Sequence, residues 1–345
     1  MPRILIVADD LTGALDSAVA FAARGMQSRV VRDRGSLAAA LAAGPAVLAL
    51  ATGTRERDAA AAVETVEAML AGLAGWADIV FKKIDSRLKG HIVAETAAVA
   101  RLTGQHRALV APAIPSFGRI VRRGQLSGHG MAEPIDIAAR FHGLPLPCTV
   151  PEVTTAADFR PALAAATPGT MLVGARGLAA ALAEKLAGPS LPLAHTPEQP
   201  LLLAIGSRDP ITLAQIARLA GHPELRHLRA PNGVLPAATE STIVLAQLTP
   251  GTAALDSQAV TRHFARELAT LVDTMKPATL FACGGETADS LLAQLGVGGL
   301  ALAGEILPGM PLAKIHLAGR TVTFISKSGG FGAPDALLDL LNASR

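Results

Sequence analysis

Aromatic residues and cysteines are scarce in this chain of 345 residues. It has one Trp, nine Phe, no Tyr and two Cys, Cys148 and Cys283. Proteins that bind single-stranded nucleic acid stack its bases on aromatic side chains beside a basic groove, so this shortage excludes that class. Two cysteines are too few for a disulfide framework or a cysteine metal site, which predicts a reducing compartment.

Charge and long apolar runs are also limited. Only 17% of the residues are charged and the formal net charge is +3, a mild excess that suits small anions. The first apolar run has five residues before Asp9, which is too short for a signal peptide. The longest other apolar tract, 37–51, is interrupted by Gly44-Pro45. We therefore expect a cytoplasmic protein with no membrane partner.

Hydrophobic residues, by contrast, make up half of the chain. Apolar runs typical of buried strands alternate with segments of helical periodicity, which predicts α/β domains with layered, mostly parallel sheets. The clearest predicted strands are 4–8, 79–83, 201–205 and 279–283. Residues 124–149 carry scattered Gly, His and Pro, and we predict an irregular insert there, as in a lid or a binding loop.

A proline-bearing stretch predicts where the domains meet. Four prolines lie between residues 187 and 200, namely Pro189, Pro192, Pro197 and Pro200. Prolines stiffen connections that cannot join a sheet. We expect an N-terminal domain of residues 1–195, a C-terminal domain of residues 196–345 and an interdomain cleft.

Two adjacent acids, Asp9 and Asp10, follow the first predicted strand. Ligands of open α/β sheets gather at the carboxyl ends of such strands. Two carboxylates repel phosphate and suit a hydroxyl, an ammonium or a metal. The alternative is that one acid caps the helix beginning near Leu11, which leaves the other acid unexplained.

Two further loops of the first domain carry mostly cations. The loop after strand 79–83 contains Lys83, Asp85, Ser86 and Arg87, and Arg119 lies in the loop after the next strand. Arginine binds both oxygens of a carboxylate with its planar fork, so this set fits a small hydroxy acid. Each cation by itself could equally be a solvated surface side chain.

Three glycine-bearing loops follow three predicted strands of the second domain. They contain Gly206-Ser207, Gly284-Gly285-Glu286-Thr287 and Lys327-Ser328-Gly329-Gly330. Glycines let backbone N–H groups surround an anion, and a helix start adds the positive end of its dipole. The loops predict a nucleotide-phosphate site, although none matches the standard P-loop pattern. Glu286 either complements a helix dipole or contacts the nucleotide or its metal.

Several of these blocks resemble the signatures of the four-carbon acid sugar kinase family. They are Ala8 to Ala14, Lys83 to Gly90, Gly284 to Ala288 and Lys327 to Gly332, in family order across nearly the whole chain. The resemblance implies an N-terminal domain that holds a sugar acid such as threonate, erythronate or an oxo-tetronate, and a C-terminal domain that holds ATP. It also implies nucleotide contacts from Ser207, Gly284, Gly285, Glu286, Thr287 and Gly329. Glu286 and Arg87 depart from the usual Asp and Thr of the family, which leaves the identity of the sugar acid open.

We therefore hypothesise an ATP-dependent kinase in which Asp9 or Asp10 orients the hydroxyl and accepts its proton. Lys83, Arg87 and Arg119 would bind the carboxylate, Lys327 or the glycine loops would hold phosphate, and Mg²⁺ is expected with few protein ligands. The partners are then a small sugar acid and ATP, without nucleic acid, and an oligomer is left open. The alternatives are a non-catalytic sugar-acid sensor and a phosphotransfer domain with a phosphorylated Asp.

Overall fold

The computed structural model describes residues 1–191, 195–237, 241–252 and 254–344. The chain divides after Leu191 into two compact units. Unit 1 runs to Leu191, and unit 2 comprises the described residues from 195 onward. The division falls in the proline-bearing stretch, of which Pro192 lies outside the described residues.

Unit 1 is built on a parallel sheet. The described strands are β1 (Ile4–Ala8), β2 (Ser28–Val31), β3 (Val47–Ala51), β4 (Ile79–Lys83), β5 (Arg107–Ala111), β6 (Arg119–Arg122), β7 (Gln125–Gly128), β8 (Ile135–Asp136), β9 (Cys148–Thr149) and β10 (Thr170–Gly174). The main sheet has the strand order β2-β3-β1-β4-β10-β5-β9, and every pairing in it is parallel. A small antiparallel sheet has the order β6-β7-β8. The α-helices are α1 (Leu11–Ala22), α2 (Leu37–Ala42), α3 (Ala59–Leu70), α4 (Ile92–Thr103), α5 (Ile137–Arg140), α6 (Phe159–Ala165) and α7 (Arg176–Ala187).

Unit 2 is built on a mixed sheet. The described strands are β11 (Leu201–Ile205), β12 (Leu225–Pro231), β13 (Ile243–Thr249), β14 (Thr279–Cys283), β15 (Gly299–Leu307), β16 (Met310–Leu317) and β17 (Arg320–Lys327). Their order is β12-β13-β11-β14-β17-β16-β15, in which the first four pairings are parallel and β17-β16 and β16-β15 are antiparallel. The α-helices are α8 (Pro210–Ala217), α9 (Ser257–Met275), α10 (Gly285–Gln294) and α11 (Ala336–Asn342).

The predicted α/β class with mostly parallel sheets is confirmed. The four predicted strands 4–8, 79–83, 201–205 and 279–283 coincide with β1, β4, β11 and β14. All residues of β1, β11 and β14 are buried, as strands covered on both faces must be. Their continuous apolar sequences are therefore what the burial requires.

The insert predicted at residues 124–149 is irregular over more than half of its length, but it also contains short elements that the prediction lacked. This segment contains β7, β8, α5 and β9, and Leu126 and Ile137 are fully buried. Strands of two to four residues are too short to show the alternation that identifies a strand in a sequence. The segment therefore forms part of the packed unit 1.

The register of both sheets brings loops together at one edge. In unit 1, Ala8 lies opposite Ala51 and Lys83, so the loops after β1, β3 and β4 begin at the same level. In unit 2, Cys283 lies opposite both Ile205 and Lys327, so the loops after β11, β14 and β17 do the same. Among the described residues no helix combines the length and the apolar character needed to cross a bilayer.

Candidate functional site

One guanidinium joins the two acids that follow β1. Arg55 donates from Nε and Nη2 to the two carboxylate oxygens of Asp9, each at 2.8 Å, and from Nη1 to Oδ2 of Asp10 at 2.6 Å. The other oxygen of Asp10 accepts from the backbone N–H of Gly13 at 2.7 Å and caps α1. The capping interpretation thus holds for Asp10, whereas Asp9 is held by Arg55.

The two acids differ in exposure and therefore in chemistry. The side chain of Asp9 is 4% exposed and that of Asp10 is 26% exposed. Burial raises the pKa of Asp9, but the hydrogen bond and charge of Arg55, with the charges of Lys82 and Lys83, outweigh it, so this pKa lies below its ordinary value. Asp9 is therefore ionised and a weak base at neutral pH, while Asp10 is the acid that a ligand can reach.

A buried set of polar groups supports the loop that carries Arg55. Lys82 Nζ lies 2.7 Å from Oε2 of Glu95, and both side chains are fully buried. Oε1 of Glu95 accepts from the hydroxyl of Thr54 at 2.6 Å, and the backbone N–H of Thr54 donates to the carbonyl of Asp9 at 2.9 Å. A buried ion pair is tolerated when such additional hydrogen bonds satisfy it. This set ties α4 to the ends of β1, β3 and β4.

The loop after β4 brings two of the predicted substrate residues toward the acids. Asp85 accepts from the backbone N–H of Arg87 at 2.8 Å, and its second oxygen lies 4.0 Å from Nη1 of Arg55. Lys83 donates to the carbonyl of Ile84 at 2.8 Å. Its charge lies close enough to Asp9 to lower the pKa of that carboxyl. The predicted residues Lys83 and Asp85 therefore belong to one cluster with Asp9 and Asp10.

Arg119, at the start of β6, extends this cluster with further positive charge. It donates to the hydroxyl of Ser86 and, from Nε, to the carbonyl of His129 at 2.9 Å. Its guanidinium lies 4.9 Å from the centre of the Phe117 ring. Burial and the nearby charge of Arg87 lower the pKa of Arg119, partly offset by Asp85. Two neighbouring arginines disfavour each other's charge, so an anion bound between them would be favoured.

Unit 2 contains a pocket of about 560 Å³ at the carboxyl ends of its parallel strands. That volume lies within the range of small-molecule sites. Seven of the eight residues predicted to bind nucleotide line it: Ser207, Gly284, Gly285, Glu286, Thr287, Gly329 and Gly330. The N-termini of α8 and α10 also border it, through the capping residues Asp209 and Gly284. A pocket with two helix N-termini and glycine loops is suited to an anion.

The three glycine loops contact each other closely. A Cβ placed on Gly206 would lie 1.8 Å from the hydroxyl oxygen of Thr287, and one on Gly329 would lie 2.1 Å from that of Ser207. Gly284 has φ +105, a conformation that L side chains rarely adopt. Glycine at these positions therefore lets the loops meet around the pocket.

Lys327, the eighth predicted residue, lies behind its loop and does not line the pocket. Its Nζ donates to the carbonyls of Ser328 at 3.1 Å and Gly329 at 3.3 Å, and to the hydroxyl of Thr212 at 3.2 Å. The side chain is buried, and burial lowers the pKa of Lys327. The ammonium of Lys327 therefore contacts the loop itself, and the phosphate contact predicted for it stays a prediction.

Metal-binding residues are few. Within the described ranges no cluster of three or more His, Cys, Asp or Glu side chains is arranged to hold a metal ion. Glu286 and Asp209 nevertheless line the pocket. Mg²⁺ at a nucleotide is usually held by phosphates, waters and one or two carboxylates, so this donor set fits it.

Sequence reasoning missed several residues of both clusters. Arg55 and Glu95 were not among the candidates of unit 1, and Asn232, Thr249 and Leu255 were not among those of unit 2. Arg55, Asn232 and Thr249 lie at or just after the ends of β3, β12 and β13. The rule that ligands meet the carboxyl ends of parallel strands could have found them.

Two family models match the chain. One is described as a sugar-binding N-terminal domain and matches residues 4–140, and the other as a nucleotide-binding C-terminal domain and matches residues 202–337. The first match contains Asp9, Asp10, Arg55 and Arg119, and the second contains all three glycine loops.

Solved structures show the fold. A crystal structure from Salmonella typhimurium LT2 and one from Haemophilus influenzae each give a TM-score of 0.71 over 98% of this chain. The match covers 98% of the Salmonella chain at 20% sequence identity and 99% of the Haemophilus chain at 19%. At such identity the likeness concerns architecture alone.

Two relatives that carry the same name match all or nearly all of the chain. A protein of Bordetella bronchiseptica named D-threonate kinase is 30% identical over 100% of this chain and 98% of its own length. A Cupriavidus necator protein of the same name is 30% identical over 96% of each chain. The full-length match to these kinases agrees with the two domain matches, and the chain belongs to the four-carbon acid sugar kinase family.

Proposed function

We propose that this protein is an ATP-dependent kinase that phosphorylates a terminal hydroxyl of a four-carbon sugar acid such as threonate, erythronate or 3-oxo-tetronate. The observation that carries the proposal is the pocket of unit 2, in which three glycine loops and the N-termini of α8 and α10 surround one space. Backbone N–H groups and helix dipoles are suited to the phosphates of a nucleotide. The names of the relatives support the choice of a sugar acid as acceptor.

The cluster of unit 1 supports the binding of the sugar acid. Arg87 and Arg119 offer adjacent positive charges for a carboxylate, and Lys83 lies near the acids. Asp10, which keeps exposed surface, would accept a hydrogen bond from the hydroxyl that reacts. A carboxylate has about four lone-pair directions, and the contacts of Asp10 to Arg55 and Gly13 leave some of them for a ligand.

In the proposed reaction Asp10 orients the hydroxyl and accepts its proton as the bond to phosphorus forms. Asp9 holds Arg55, and Arg55 fixes the orientation of Asp10. Phosphoryl transfer depends mainly on positioning and charge neutralisation, so a fixed carboxylate is suited to it. Mg²⁺ bound to the phosphates would neutralise charge, and Glu286 and Asp209 are the residues that would hold it in the pocket.

A coupled assay of ADP release over a panel of four-carbon and branched sugar acids tests the proposal. We expect ADP release that depends on ATP, Mg²⁺ and one class of acid. Thermal stabilisation by an acid without ADP release from any of them would instead support a sugar-acid sensor.

A further inference from the structure

The loop that follows β17 is held from behind by three buried side chains. Thr212 donates its hydroxyl to the carbonyl of Gly329 at 2.7 Å, and Lys327 donates to the carbonyls of Ser328 and Gly329. Gln215 donates from Nε2 to the carbonyl of Ala333 at 2.8 Å, with a longer contact of 3.3 Å to that of Phe331. Thr212 and Gln215 are fully buried on α8, and Lys327 is 2% exposed.

Because the peptide group is planar and trans, a carbonyl held by a hydrogen bond also fixes the direction of the N–H group that follows it. In a trans peptide the carbonyl of one residue and the N–H of the next point to opposite sides. Because the carbonyls of Ser328 and Gly329 point back to Lys327 and Thr212, the N–H groups of Gly329 and Gly330 point the other way. Gly329 and Gly330 are the residues of this loop that line the pocket.

We propose that Thr212 and Lys327 form a carbonyl clamp, a pair of positioning residues that turns the amides of Gly329 and Gly330 toward the nucleotide phosphates, and that Gln215 holds the end of the same loop. The inference rests on the proposed function and deepens it, because it assigns nucleotide affinity to side chains that do not touch the nucleotide. Lys327 takes part as the anchor of the loop.

The packing of the glycines explains why the clamp residues contact this loop from the side opposite the pocket. A Cβ on Gly329 would collide with the hydroxyl of Ser207, and Gly332 has φ +99 and lies against Nε2 of Gln215. The loop is thus free of side chains on the pocket face at Gly329 and Gly330. Its shape depends on the donors behind it, since glycine by itself permits many conformations.

The variant Thr212→Val tests the clamp because it removes the hydroxyl and keeps the shape. We expect its dissociation constant for ADP, measured by calorimetry, and its KM for ATP to rise about tenfold, since a bound anion loses aligned donors. The KM for the sugar acid should stay unchanged. Thr212→Ser should restore wild-type values. Thr270→Val is the matched control, because Thr270 donates to a helix carbonyl on the exposed part of α9.

A second variant, Gln215→Leu, keeps the inference testable if Thr212→Val does not fold. Gln215→Leu removes the contacts to Phe331 and Ala333 and should weaken ADP binding by a smaller factor with the same unchanged KM for the sugar acid. If Thr212→Val is folded by circular dichroism and binds ADP as wild type does, the clamp is wrong. Equal weakening of ADP and sugar-acid binding by both variants would also overturn it. Wild-type protein that does not bind ADP would overturn the proposed function itself.

Discussion

Arg55 is the residue on which the arrangement of the acids in unit 1 depends. Its guanidinium donates from two nitrogens to Asp9 and from one to Asp10, and its Nη1 lies 4.0 Å from Oδ2 of Asp85. Bidentate pairs of this kind restrict orientation as well as adding energy. Two adjacent carboxylates repel each other, and the guanidinium between them offsets this repulsion at the end of β1.

The variant Arg55→Met should make the protein more sensitive to acid. Asp9 has a lowered pKa in the folded protein, so it stabilises the fold above the unfolded value near 3.8 and loses that contribution as the pH falls through the folded pKa. Without Arg55 the pKa of Asp9 rises from its wild-type value, because the hydrogen bond and charge of Arg55 that lower it are lost while the burial remains. The midpoint of acid unfolding, followed by circular dichroism, should therefore move to higher pH.

The matched control for this variant is Arg57→Met. Arg57 is exposed and contacts Thr65 on α3, at 3.1 Å. Its replacement should leave the acid midpoint in place. An unchanged midpoint in Arg55→Met would show that Arg55 does not set the ionisation of Asp9.

The variant Asp10→Asn should lose activity without losing the helix cap. Asparagine caps helices about as well as aspartate, so the capping contribution should change by only a few tenths of a kcal/mol, whereas the ion pair with Arg55 is lost. Removing a general base lowers turnover by about 10²–10⁴-fold, which we expect for kcat with ATP and the sugar acid.

Asp58→Asn is the control for the loss of a carboxylate at a helix cap. Asp58 caps α3 by accepting from the backbone N–H of Ala61 at 2.9 Å, and it is exposed. This variant should keep wild-type kcat. Near-normal turnover in Asp10→Asn would contradict the role of Asp10 as the proton acceptor.

At the scale of secondary structure, the ion pair of Lys82 and Glu95 connects β4 to α4. The pair is fully buried, and Glu95 also accepts from Thr54 in the loop that carries Arg55. Because neither side chain can reach water, removing one charge would leave the other buried without a counter-charge. The pair therefore couples the stability of unit 1 to the position of the Arg55 loop.

Glu95→Leu should destabilise the protein by about 3–5 kcal/mol, since it leaves the ammonium of Lys82 buried without its carboxylate. The double variant Lys82→Met/Glu95→Leu removes both charges and should recover most of that loss. Urea denaturation gives both free energies of unfolding. The double variant should still show a raised KM for the sugar acid, because the bond to Thr54 is missing.

A surface pair provides the comparison. Arg160 and Glu184 lie 3.2 Å apart and both side chains are more than half exposed. Glu184→Leu should change the free energy of unfolding by less than about 1 kcal/mol. If the double variant is as unstable as Glu95→Leu alone, uncompensated charge is not the cause of the destabilisation.

Elements that could be predicted from the sequence are those whose burial is continuous. β1, β11 and β14 were predicted with their observed bounds because these central parallel strands are almost entirely apolar. β4 was also predicted with its observed bounds, although it ends in two lysines. β12 was not predicted, since charged and apolar residues alternate in it at the edge of the sheet. β7 and β8 were too short to give a pattern.

In the candidate sites, likewise, some residues could be predicted from local sequence and others could not. The Asp9-Asp10 pair and the glycine loops could be found because each is a local motif directly after a strand. The place of Arg55 just after β3 follows from the strand-end rule, but its bonds to both acids could not be read from local sequence, since they depend on β3 lying beside β1 in the sheet. The position of Lys327 behind its loop depends likewise on contacts with α8, which the linear sequence does not reveal.

At the scale of the whole molecule, each unit has a candidate site at the carboxyl ends of its parallel strands. Unit 1 carries acids and arginines that fit a hydroxy acid, and unit 2 carries glycine loops that fit phosphates. The two matched family models describe a sugar-binding and a nucleotide-binding domain in the same order. The chemistry proposed for the chain is therefore the transfer of a phosphoryl group from the ligand of unit 2 to the ligand of unit 1.

Phosphorus NMR of the reaction with ATP, Mg²⁺ and the panel of four-carbon acids tests that transfer most directly. We predict that the γ-phosphate resonance is replaced by a phosphomonoester resonance, in step with the formation of ADP, and that Asp10→Asn slows this change. Formation of inorganic phosphate in place of a phosphomonoester, or no loss of ATP with any acid of the panel, would contradict the proposed kinase.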